Sequence, residues 1–178
     1  MKVHEEHKKE APTRINLALI VISSSRYNEI QMDNTNSDKT IPLVRKILNK
    51  NQSFSLIFSE IVPDSPRDIM EVLDKLLMDD SINVILCSGG TGLSPKDLTY
   101  ETLEPLLEKK IDGFGELFRF LSYKEIGSSA MLSRSIAGTI GNKIIFLLPG
   151  SPNAVKLALD KLIIPELGHI IYLLNKKE

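Results

Sequence analysis

The chain has no tryptophan and a single cysteine in 178 residues. One thiol cannot close an internal disulfide, so nothing in the composition calls for an oxidising compartment. Charge of one sign is also missing, since 22 Lys and Arg residues face 23 Asp and Glu residues for a formal net charge of −1. Nucleic-acid binding usually leaves a basic excess, and here the cations are scattered along the chain, so no nucleic-acid partner is expected. No apolar run is long enough to span a bilayer, and the first ten residues, Met1 to Glu10, carry no apolar signal core. A cytoplasmic protein without membrane contact is the expectation. No internal repeat or second core is visible, and the length suits one domain.

What the chain does have is concentrated at Cys87-Ser88-Gly89-Gly90-Thr91-Gly92-Leu93-Ser94-Pro95-Lys96-Asp97. This stretch follows the apolar run Val84 to Cys87 and precedes a helical pattern opening near Thr99. Open α/β sheets bind ligands where a buried strand turns into a helix. Glycine at 89, 90 and 92 allows positive φ and lets an anion reach backbone N–H groups with no Cβ in the way. Phosphate is the expected guest, and a tight turn without a ligand is the alternative. Lys96 and Asp97 close the loop with opposite charges, and a carboxylate beside a phosphate cradle makes sense with a cation such as Mg²⁺ between them. Neither the Walker A spacing nor the G-x-G-x-x-G dinucleotide rhythm is present.

Residues 1 to 13 are mostly charged and are expected to form a flexible tail ahead of one domain at 14–178. Ile15 to Ile22 is nearly continuous aliphatic and predicts a first strand buried on both faces, with Ser23, Ser24, Ser25 and Arg26 at its carboxyl end. A polar run from Tyr27 to Thr40 shows no apolar periodicity and is expected to be disordered or a lid. A helix over Ile41 to Asn49 and an edge-proximal strand over Phe54 to Val62 follow. Pro63-Asp64-Ser65-Pro66 then starts another helix, with Ser65 as cap and Pro66 in the first position. Asp64 thus stands at a strand-to-helix junction, where it serves either the helix terminus or catalysis.

After the strand at 83–87 and the glycine loop, a helix is predicted from Thr99 to Glu108. Asp112-Gly113-Phe114-Gly115 predicts a break before an amphipathic helix, Glu116 to Lys124, where Leu117, Phe118, Phe120 and Leu121 recur at helical spacing and the aromatics are expected in the core. Gly141-Asn142 between two apolar arms, Ser135 to Ile140 and Lys143 to Leu148, is a two-residue hairpin signature. Pro149-Gly150-Ser151-Pro152-Asn153 turns the second arm into a helix at 153–162, with Ser151 as cap, giving a second helix start suited to anions. A last apolar helix, Leu167 to Leu174, offers a face for subunit contacts. Strands alternating with helices predict an α/β fold: a three-layer, doubly wound, mostly parallel sheet with helices on both faces and one β-hairpin at an edge.

Four blocks in order carry a family resemblance. They are Ser88-Gly89-Gly90-Thr91-Gly92 with Pro95 to Thr99, Gly113 to Glu116, Leu132-Ser133-Arg134, and Leu148 to Pro152. With them the chain resembles, from about Ile15 to Leu174, the MoaB/Mog family of molybdenum-cofactor biosynthesis proteins, the molybdopterin adenylyltransferases. The resemblance implies the molybdopterin-binding fold and transfer of AMP from Mg-ATP to the terminal phosphate of molybdopterin, releasing pyrophosphate. A carrier that binds molybdopterin without catalysis is the alternative. The family's essential carboxylates fall here on Asp64 and Asp97, which as oxygen ligands could also hold Mg²⁺. Its late turn places Asn153 in the substrate site beside Gly150 and Ser151. Ser88, Gly89, Gly90, Thr91 and Gly92 are expected to cradle phosphate, and Ser23, Arg26, Asp38, Lys96, Ser133 and Arg134 are secondary candidates. Two departures stand out: Ser24 occurs where the family often has aspartate, and Ile41 where a glycine often follows Asp38-Lys39-Thr40. The resemblance also implies a homotrimer, or two trimers paired as a hexamer.

Overall fold

A computed structural model describes residues 14–33 and 35–176; the predicted tail, 1 to 13, lies outside them. Six strands form one sheet: β1 (Ile15–Ile22), β2 (Phe54–Val62), β3 (Val84–Ser88), β4 (Lys109–Lys110), β5 (Ile136–Ile140) and β6 (Lys143–Leu148). Their order across the sheet is β2-β1-β3-β6-β5-β4. The first four in that order run parallel, while β5 is antiparallel to β6 and to β4. The central strands read as unbroken aliphatic runs because both faces are covered. Along β1, Leu17, Leu19 and Val21 enter one core and Ala18, Ile20 and Ile22 the other, the two-residue alternation of a pleated strand. Each such leucine or isoleucine contributes about 1.5–3 kcal/mol of burial.

The helices divide between these faces. α2 (Thr40–Leu48), α5 (Asp112–Ile126), α6 (Pro152–Ala158) and α7 (Ile164–Asn175) pack on one, and α3 (Pro66–Met78) with α4 (Thr99–Leu103) on the other. The doubly wound fold expected from the sequence is therefore present. β2 is an edge strand, and Ile140 pairs with Lys143 across the predicted Gly141-Asn142 turn. Gly141 there adopts φ +56°, a conformation open to glycine and costly for most other residues.

Several local expectations need correction. The polar run after β1 contains a helix, α1 (Ser24–Asp33), which puts only Tyr27 and Ile30 against the core, too few for a visible period. Helix α5 begins at Asp112, so Gly113 and Gly115 lie within it rather than breaking the chain. A Cβ on Gly115 would stand 2.7 Å from the Ser135 carbonyl oxygen, so this glycine marks close approach to the chain just before β5. Phe118 is buried, but Leu117 and Phe120 of the same helix point outward. The Thr99 helix stops at Leu103, passes through a 3-10 turn, and yields to the two-residue edge strand β4. Helices α6 and α7 are joined without a break by a π-helical turn, Leu159–Ile163. Pro165 has no N–H and its ring crowds the carbonyl one turn back, a strain that widening the helix relieves.

Candidate functional site

Strand order 2-1-3 means that the chain leaves β1 toward one side and returns on the other. A crevice opens at that reversal, at the carboxyl ends of the strands. A cleft of about 510 Å³ lies there. Every strand of the parallel set delivers residues to it: Ser23 and Arg26 after β1, Asp64 after β2, Gly89 to Gly92 with Asp97 after β3, and Gly150 and Ser151 after β6. The opposite wall comes from α5 and the turn behind it, including Phe118, Ser122, Ala130 and Ser133.

Two glycines make the floor. Gly89 has φ +113°, and a Cβ there would sit 2.1 Å from the Ile22 carbonyl oxygen; Gly90 has φ +63°, and its Cβ would sit 2.2 Å from Thr99 Oγ1. Only glycine lets the loop fold back onto the end of β1 in this way. Among the described residues, the N–H groups of Gly90, Thr91 and Gly92 donate to no protein acceptor. The carbonyls behave differently. The Gly90 oxygen accepts from the Thr99 N–H at 2.9 Å, the Thr91 oxygen from Arg134 Nε at 3.1 Å, and the Gly92 oxygen from Arg134 Nη2 at 2.6 Å.

The two aspartates are held alike. Asp64 Oδ2 accepts from the Ser24 N–H and the Ser24 hydroxyl, both at 2.8 Å, while the Asp64 N–H donates back to Ser24 Oγ at 2.8 Å. Asp97 Oδ2 accepts from the Ser94 N–H at 2.9 Å. In each carboxylate the Oδ1 atom has no hydrogen-bond partner among the described residues. Mg²⁺ usually keeps several waters and takes one or two protein carboxylates plus substrate phosphates. Two carboxylates with one free oxygen each fit that habit. Among the described residues no group of three or more His, Cys, Asp or Glu could form an all-protein cage.

Five residues singled out from sequence sit elsewhere. Ser88 is fully buried and its hydroxyl donates to the Pro149 carbonyl oxygen at 3.2 Å, tying two strand ends together beneath the cleft instead of facing a phosphate. Lys96 is exposed and absent from the lining. Asp38 caps α2, accepting from the N–H groups of Thr40 (3.1 Å) and Ile41 (2.7 Å). Its Oδ1 also lies 3.4 Å from Arg26 Nη1, which holds that cleft arginine from outside. Asn153 lines a separate cavity of about 170 Å³ with Lys156 and Asp160, because in α6 it is Ala154 that faces the cleft. Arg134 stands behind the loop, paired with Glu101 and 4.9 Å from the centre of the Tyr100 ring. That arginine holds the Glu101 carboxyl below its ordinary value, chiefly through their hydrogen bond.

Sequence reasoning missed the α5 wall. Phe118, Ser122 and Ile126 all line the cleft, and their four-residue spacing puts them on one helix face. A serine inside an apolar stripe was the available signal. Cys87, beneath the loop, is fully buried, which raises its thiol pKa to about 12 and removes thiolate chemistry from the site.

Comparison with known proteins agrees with this architecture. A family described as "Probable molybdopterin binding domain" matches residues 18–169. The chain is 44% identical over 173 residues, 97% of its length and 98% of the relative's, to molybdenum cofactor biosynthesis protein B of Bacillus cereus. It is 44% identical over 164 residues to the protein of that name in Staphylococcus carnosus, covering 91% of this chain and 92% of the other. A crystal structure of a molybdenum cofactor biosynthesis protein B superposes with a TM-score of 0.83 at 43% identity, covering 94% of this chain and 99% of the other. The tungsten cofactor synthesizing protein MoaB of Pyrococcus furiosus superposes at 0.79 with 32% identity, over 93% of this chain and 100% of its own.

Proposed function

Because the chain belongs to the molybdopterin-binding domain family of molybdenum cofactor biosynthesis proteins, we propose that it transfers AMP from ATP to the terminal phosphate of molybdopterin. A phosphate oxygen of the pterin forms a bond to the α-phosphorus of ATP. The bond from that phosphorus to its bridging oxygen breaks, and pyrophosphate leaves.

The observation that carries this reading is the meeting of unpaired amide donors and two half-free carboxylates in one cleft. Bringing phosphate to phosphate opposes like charges, so a transferase must neutralise them and hold the groups in line. The loop amides and the Thr91 hydroxyl bind phosphate oxygens, with Arg26 adding a cation from α1. Asp64 and Asp97 would hold Mg²⁺ through their free oxygens. When bound, that ion supplies charge neutralisation of the triphosphate. Ser24 fixes which oxygen of Asp64 is free, and Phe118 and Ala130 give the wall an apolar surface. Phe118, Ser122 and Ala130, the buried part of that wall, and the glycine floor limit the water that could compete for the α-phosphorus.

The resemblance further implies a homotrimer or a dimer of trimers. Leu117, Phe120 and Tyr123 are more than half exposed on α5, apolar surface that assembly would cover. Elution at monomer size in gel filtration would contradict it.

Asp97→Asn tests the chemistry, because it keeps the shape of the side chain and removes its charge. The variant should retain molybdopterin binding while pyrophosphate release falls on the order of 10³-fold, the rate equivalent of ~4 kcal/mol. Unchanged release would refute the role of Asp97. Saturable pterin binding by the unmodified protein with no pyrophosphate release would make it a carrier.

A further inference from the structure

We propose that Arg134 is a positioning residue that sets the direction of the peptide planes in the phosphate cradle, and that it does so without touching the phosphate. The proposal rests on the phosphate-binding reading of the loop above.

The C=O of one residue and the N–H of the next share a trans peptide plane and point in opposite directions. Fixing the carbonyls therefore aims the amides. The Thr91 carbonyl is held by Arg134 Nε, which turns the Gly92 N–H the other way. The Gly92 carbonyl is held by Arg134 Nη2, which fixes the following peptide plane where the loop leaves the cleft. The Gly90 carbonyl is held by the Thr99 N–H, which aims the amide of Thr91. Thr91 and Gly92 line the cleft and Arg134 does not. The donors thus face the ligand and the acceptors face the scaffold, the polarity an anion requires.

The arginine is itself fixed from two further directions. Glu101 accepts from both Nη1 and Nη2, the second at 3.2 Å, and the guanidinium stacks against the Tyr100 ring. A planar fork can grip two carbonyls and one carboxylate at once, which a lysine ammonium on a flexible stem cannot do. The carboxylate also neutralises the guanidinium.

Glu101 separates the two roles by sign. Glu101→Gln frees Arg134 of its neutralising partner and loosens its grip on the carbonyls. If Arg134 acted as a charge on the phosphate, this variant would bind phosphate more tightly. If Arg134 orients the loop, binding weakens. The experiment is a titration of the ¹⁵N-labelled protein with inorganic pyrophosphate, following the amide signals of Thr91 and Gly92. In the unmodified protein both signals should move and saturate. In Glu101→Gln they should start from shifted positions, and the dissociation constant should rise on the order of five-fold. Arg134→Lys, which retains the charge and loses the fork, should weaken binding by about ten-fold, with amide signals away from residues 89–101 and from the segment around residue 134 unchanged in both variants. Tighter or unaltered pyrophosphate binding in Glu101→Gln, or full affinity in Arg134→Lys, would overturn the proposal. Pyrophosphate that leaves the Thr91 and Gly92 amides of the unmodified protein unmoved would overturn both it and the phosphate-binding reading.

Discussion

The two ends of the sheet treat their polar groups in opposite ways. At the amino ends of the strands, polar groups are turned on one another. Lys143, at the start of β6, is 2% exposed and donates from Nζ to the carbonyl oxygens of Asp79 and Ile82, both at 2.7 Å. Asn16 of β1 exchanges hydrogen bonds with Asn83, accepting the Asn83 N–H on its carbonyl at 3.0 Å and giving its own N–H to Asn83 Oδ1 at 2.9 Å. At the carboxyl ends, amide donors and carboxylate oxygens are left facing a cleft. Pairing at one end contributes stability, and the unpaired groups at the other leave binding capacity for a ligand.

Gly89→Ala should have the largest effect. A methyl group 2.1 Å from a backbone oxygen, at φ +113°, forces apart the loop and the end of β1. We expect a loss of about 4 kcal/mol in unfolding free energy together with loss of phosphate binding. Chemical denaturation and ligand titration of one sample read both. Lys143→Met should do the reverse of a site mutation. It leaves the buried Ile82 carbonyl without a donor, while the Asp79 carbonyl keeps the Ile82 N–H, and should cost roughly 2 kcal/mol of stability, while activity per folded molecule stays unchanged at a temperature below its unfolding transition. Equal damage to activity would show that the two ends are coupled.

The smallest effect is expected from acid. The Glu101 carboxyl is held below its ordinary value of 4.5 by its hydrogen bond to Arg134. A depressed carboxyl pKa means that the pair's contribution is complete above that ordinary value and drains away as pH falls through the folded one. Glu101 is about half exposed, so water screens the pair and the contribution is small. Melting temperatures of the unmodified protein and Glu101→Gln, measured in parallel, should therefore converge as pH drops below about 4.5. A gap that widened in acid would contradict the pairing.

How much was legible in the sequence follows from the same contrast. The buried strands β1, β3 and β6 announced themselves because both faces are covered, and the Gly141-Asn142 turn because its backbone demands glycine. The glycine loop and both aspartates were legible because strand-to-helix junctions at the carboxyl end of a parallel sheet converge. Helix α1 was hidden, since only Tyr27 and Ile30 meet the core. The opposing wall was hidden for a different reason. Helix α5 reaches the cleft from well down the chain, and a periodic face does not say what it faces. Ser88 and Arg134 were placed near the loop correctly, but a residue type does not disclose whether a hydroxyl or guanidinium points at ligand or at scaffold. Asn153 shows the limit most simply, since one residue's rotation along α6 replaces it in the cleft with Ala154.

We propose that the open end of the sheet joins two phosphorylated molecules. Incubation of the purified protein with molybdopterin, ATP and Mg²⁺, followed by mass spectrometry of the pterin, tests it most directly. The account predicts a pterin heavier by one AMP group, formed together with an equal amount of pyrophosphate. Molybdopterin recovered unmodified from a complex that had bound both substrates would contradict it.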